Sequence, residues 1–104
     1  MTGRATAATR LERALVKDAG MAGVTLTIAT IRSTRWASAT FAGARHRLEV
    51  MVAGAGARDW LAGLAEADLP MPAHLVADVV LVEQHHASGE SRAVVEILTV
   101  EDGV

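Results

Sequence analysis

The 104-residue sequence predicts an α+β fold: a two-layer sandwich in which a largely antiparallel five-stranded sheet carries two helices on one face, in the order α-β-β-β-α-β-β. Three observations carry that reading. Two stretches repeat their apolar residues at helical spacing, and the segments between and after them switch to strict alternation, the period of side chains on a strand. Glycines stand where alternating runs reverse, and Leu69-Pro70-Met71-Pro72 closes the second helical stretch, because the residue before a proline avoids helical conformation. Amphipathic helices and a one-sided sheet bury each other's apolar faces as two layers.

From about Ala5 to Ala19, the residues Ala8, Leu11, Leu15 and Ala19 recur on one side and Arg10, Arg13 and Lys17 on another. This is an amphipathic helix, with Thr2 or Thr6 as its cap and Gly20 or Gly23 at its end. Val24 to Arg32 then sets Val24, Leu26 and Ile28 against Thr25, Thr27 and Ala29, which reads as the first strand. A tight reversal at Arg32-Ser33-Thr34-Arg35 returns the chain as a second strand. Gly43-Ala44, with glycine at the first central position of a type II′ turn, turns it into a third that ends at Val52. In that register residues whose numbers sum to 87 face each other. Phe41 then lies opposite His46 and Ala39 opposite Leu48 on an apolar face, while Trp36 meets Met51 and Thr40 meets Arg47 on the other.

Ala53-Gly54-Ala55-Gly56 breaks the sheet, and Ala57 to Ala67 places Trp60, Leu61, Leu64 and Ala65 on the stripe of a second helix. His74 to His85 and Ser91 to Glu101 form a last hairpin around Ala87-Ser88-Gly89. Gly89 takes the left-handed position of a three-residue loop. One face of this hairpin collects Leu75, Ala77, Val79, Leu81, Ala93, Val95 and Ile97 and reads as core. The opposite face holds Val76, Val80, Val82, Val94, Leu98 and Val100, interrupted by Asp78 and Glu96. Such a face is too apolar for water, so the expected partner is a second copy of the chain: a homodimer through the C-terminal hairpin.

Length places residues 1–104 in a single domain able to bury an ordinary core. The absence of cysteine excludes disulfide and thiol chemistry. No apolar run approaches the ~20 residues of a membrane span, and the first residues lack a signal peptide's apolar centre, so the expectation is a cytoplasmic protein with no membrane partner. One lysine beside nine arginines points to a GC-rich, bacterial coding genome. The net charge of −2 hides a division: residues 1–52 carry eight basic and three acidic side chains (+5), residues 53–104 two and nine (−7). Opposite halves of that kind attract, within a chain or between chains.

Little in the sequence points to catalysis. Gly54-Ala55-Gly56-Ala57-Arg58-Asp59 lies between strand and helix, but Asp59 stands where a dinucleotide-binding loop needs its third glycine and would repel phosphate. His85 and His86 are neighbours on a strand and point to opposite faces, and His46 and His74 have no cysteine or carboxylate cluster beside them, so neither a metal nor a cofactor is expected. Ser38 and Thr40 sit among glutamate and arginine rather than under a histidine. The strongest functional signal is a basic and aromatic set, Arg32, Arg35, Trp36, Arg45 and Arg47 with Met51, in a stretch where residues 32–47 contain no acid. Arginine beside an aromatic ring on a sheet face suits a protein partner or a single nucleic-acid strand. The order of elements is loosely that of double-stranded RNA-binding domains, yet Arg58 is the second helix's only basic residue, beside Asp59, Glu66 and Asp68. The expected function is therefore a small non-enzymatic interaction module. Single-strand nucleic-acid binding through the Arg/Trp face is the first alternative. A small-molecule site between helices and sheet, near Phe41, His46 and Trp60, is the second.

Overall fold

A computed structural model describes residues 6–102. The first helix, α1, runs Ala7–Met21 and buries Leu11, Leu15 and Ala19. Thr6 caps it, its Oγ1 accepting from the Thr9 amide at 3.1 Å. The alternative cap Thr2 lies outside the described residues. At the other end Gly23, at φ 78°, lets the Val24 amide reach the Ala19 carbonyl and its own amide the Gly20 carbonyl. That pair of bonds is a Schellman motif, and it aims the chain straight into the sheet.

The sheet has four strands, not five: β1 Thr25–Ala37, β2 Ala42–Ala53, β3 His74–Ala87 and β4 Glu90–Glu101, all antiparallel in the order β1-β2-β4-β3. The expected turn at Arg32-Ser33-Thr34-Arg35 does not exist. Those residues continue β1, whose polar side chains are tolerated because it is an edge strand with one ladder and much exposure. The reversal comes instead at Ser38–Phe41, where the Ser38 amide donates to the Phe41 carbonyl at 2.7 Å and Ser38 Oγ accepts from the Phe41 amide at 3.1 Å. Gly43 is therefore a strand residue, paired with Trp36, and Phe41 is a turn residue 59% exposed rather than a neighbour of His46.

Bulges decide which face each side chain takes. The β1–β2 register shifts between Ile28 and Thr30, so Leu26, Ile28 and Ile31 all reach the helix-covered face, although strict alternation would send Ile31 outward. In β3 a shift between Val76 and Asp78 does the same. Val76 turns inward against the core and Leu75 outward, 59% exposed, the reverse of the expected assignment. The last hairpin keeps the expected pairing at its middle, Leu81 opposite Val95, but it turns through two residues, Ser88-Gly89 with Gly89 at φ 73°, where the sequence predicts three, and Ala87 pairs with Glu90.

The second helix is short: α2 covers Ala57–Gly63, and a 3₁₀ turn, Leu64–Glu66, prolongs it. Trp60 is buried and its Nε1 donates to Asp18 Oδ2 at 2.9 Å, which ties α2 to α1. The core thus lies between the helices and the inner face of all four strands, centred on the paired Leu48 and Val95, 0% and 2% exposed. Among the described residues no helix is long and apolar enough to cross a membrane.

Candidate functional site

Helices cover one face of the sheet and leave the other open, so the strands present two separate surfaces. On the open face the register aligns side chains in rows across β1, β2, β4 and β3. One row is Trp36, Gly43, Val100 and Leu75; the next is Thr34, Arg45, Leu98 and Asp78; the third is Arg32, Arg47, Glu96 and Val80. Beyond them follow Thr30, Glu49, Val94 and Glu83, then Thr27, Met51, Arg92 and His85. A depression of about 350 Å³, lined by residues of all four strands, crosses the second and third rows. Its β1–β2 side is basic (Arg32, Arg45, Arg47) and its β4–β3 side acidic and aliphatic (Asp78, Val80, Glu96, Leu98). Arg47 Nη1 donates to Glu96 Oε2 across the middle.

Five of the six residues expected to meet a partner, Arg32, Trp36, Arg45, Arg47 and Met51, share this face. Arg35 does not: it alternates to the helix side and pairs with Glu101 at 3.5 Å. Trp36 lies flat on Gly43, close enough that a Cβ there would stand 2.8 Å from its Cζ2. Half-buried, with an indole nitrogen that finds no hydrogen-bond partner among the described residues, it is held by packing. Of the residues expected at a dimer interface, Asp78, Val80, Val94, Glu96, Leu98 and Val100 share the open face, Val82 is exposed at a second bulge of β3, and Val76 belongs to the core.

The helix-covered face holds a second arrangement. At the end of the sheet beyond α2, a groove of about 930 Å³ runs between the start of α1, the ends of β1, β2 and β4, and the residues leading into β3. His46, 1% exposed, lies at its floor. Its Nδ1 is 2.7 Å from Ser33 Oγ and its Nε2 2.9 Å from Thr99 Oγ1, so three strands contribute one residue each. The Thr99 hydroxyl donates onward to the Ala44 carbonyl at 3.5 Å, which leaves its oxygen to accept from Nε2–H. In the Nε2–H tautomer that this onward bond favours, Nδ1 is bare and Ser33 donates to it. Burial, helped by the positive charge His74 can carry, holds His46 below its usual pKa of 6.5, so the neutral form dominates at neutral pH. Arg10, whose Nη1 donates to the Pro72 carbonyl at 2.7 Å, and the Arg35–Glu101 pair form the rim.

No family model, curated protein or solved structure matches the chain. Its chemistry has to be argued from these two surfaces. Of the three residues expected to line a pocket, His46 alone does so; Phe41 stands in the β1–β2 turn and Trp60 is packed in the core. Ser33 and Thr99 were not among the expected site residues. Reading residues 32–35 as strand would have brought Ser33 opposite His46, the pairing that β1 and β2 make.

Proposed function

We propose that this protein is a small interaction module that works by pairing with a second copy of itself through the open face of the sheet. The observation that carries the reading is the division of charge across that face. Arg32, Arg45 and Arg47 outnumber Glu49 on the β1–β2 side, Asp78, Glu83 and Glu96 outnumber Arg92 on the β4–β3 side, and Met51, Val80, Val94, Leu98 and Val100 lie between and beside them. A twofold axis lying along the strands lays the basic side of each copy over the acidic side of the other and Trp36 over the partner's Leu75. Every row then meets an uncharged or oppositely charged residue, the arrangement that steers and registers two surfaces. Four strands about 4.8 Å apart and ten residues long offer on the order of 600 Å² per copy, at the low end of stable interfaces of ~800 Å² per partner. Association is accordingly reversible, and the absence of cysteine suits the cytoplasm.

Sedimentation equilibrium over a hundredfold range of concentration tests the proposal. The expected result is a monomer–dimer equilibrium that weakens with salt. Val80→Arg should give a folded monomer at every concentration, since the twofold sets position 80 over the partner's Arg32 and Val80 is 47% exposed in one chain, so the fold does not depend on it. A wild-type monomer throughout overturns the reading.

A further inference from the structure

The groove on the helix-covered face has no part in that association, and its chemistry is of another kind. We propose that Ser33 is an activated nucleophile with His46 as its base, and that the groove takes small carboxylic esters. Geometry carries the inference. A serine hydroxyl 2.7 Å from a bare imidazole nitrogen is a nucleophile and base within reach, and Thr99 fixes that nitrogen by engaging the other at 2.9 Å. The base is hidden, 1% exposed, while Ser33 stands exposed on an edge strand at a groove of about 930 Å³. Ligand therefore meets the hydroxyl first. The opening turn of α1, through Thr6, Ala7 and Ala8, lines the same groove and closes it on the side away from the strands.

In the step, Ser33 Oγ bonds to the ester's carbonyl carbon and its proton passes to His46 Nδ1. As the carbon–oxygen bond to the leaving alcohol breaks, that proton goes to the departing oxygen, and the acyl group stays on Ser33. Water then attacks the acyl carbon, gives a proton to Nδ1, and a carboxylic acid leaves as Oγ recovers it. No electrons are gained or lost overall. Thr99 acts through His46 and is a positioning residue.

A fluorophosphonate probe tests this directly, because bonding of Oγ to phosphorus expels fluoride in the same sense. Peptide mass spectrometry should place the label on Ser33 and not on Ser38, the exposed serine of the β1–β2 turn. Ser33→Ala should abolish it with the fold intact. His46→Gln should slow it by about 100-fold or more, the usual worth of a general base. Thr99→Val should slow it and Thr99→Ser restore it. In the wild type, which needs no variant to fold, the labelling rate should rise with pH through a midpoint below 6.5, the ordinary histidine value. The charged and titratable groups facing the groove are Arg10 of α1, Arg35 of β1, His74 of β3, and Glu101 and Asp102 at the end of β4. His74→Gln should move that midpoint upward without abolishing the label. Labelling of Ser33 no faster than Ser38, or a rate indifferent to pH between about 5 and 8, overturns the proposal. A monomeric protein that still labels Ser33 leaves it standing, since the two surfaces lie on opposite sides of the sheet.

Discussion

At the scale of single residues, two positions carry more than their size. Gly43 is fixed by its surroundings: any Cβ would enter contact with the Thr99 carbonyl and the Trp36 ring, and the first is backbone that cannot move aside. Gly43→Ala should therefore cost about 2 kcal/mol or more, lowering the melting temperature by on the order of 10 °C. Differential scanning calorimetry reads that directly. His46 carries a dependence on pH. Its folded-state pKa lies below the unfolded value of 6.5, so the unfolded chain takes up the proton first as pH falls. The stability His46 contributes as a neutral group is complete above 6.5 and is lost as pH falls toward the folded-state pKa. Thermal melts from about pH 7.5 to 5 should show that loss in the wild type and a smaller one in His46→Gln, whose amide can keep both hydroxyl partners.

At the scale of elements, the strands are more regular in purpose than in pairing. The bulge after Ile28 inserts one residue, and everything before and after it keeps the correct face. Deleting Ala29 should consequently be mild, because the two halves of β1 rejoin as an ordinary strand in the same register. Deleting Thr27 forces Ile28 outward at a cost of up to about 3 kcal/mol. Urea melts of the two deletion variants compare them, and equal losses would contradict this reading of the bulge. The same feature explains what the sequence could and could not reveal. Helix α1, its Thr6 cap and the Gly89 hairpin rest on local signals of period and turn chemistry, and all are legible. Whether Arg32-Ser33-Thr34-Arg35 turns or continues is decided by an edge position that polar residues do not announce. With that segment misplaced, Gly43 passes for a turn glycine. Ser33 then loses its neighbour His46, and Val76 and Leu75 exchange faces for want of a visible bulge.

At the scale of the molecule, the charge division seen in the sequence becomes spatial. The basic first half supplies β1 and β2, the acidic second half β3 and β4, and the two meet at the β2–β4 pairing about Leu48 and Val95. Each half is one helix followed by one hairpin, and exchanging the halves reproduces the strand order, read from the other edge. The fold is thus a pair of αββ units joined end to end through Gly54-Ala55-Gly56. A single such unit would leave one strand of its hairpin unpaired toward the centre, and a copy of itself, turned by half a rotation, would complete it. The molecule has the architecture of a two-chain assembly written into one chain. Its halves carry opposite charge on a common order of elements, so the tether sets how many chains build the sheet and leaves its plan unchanged.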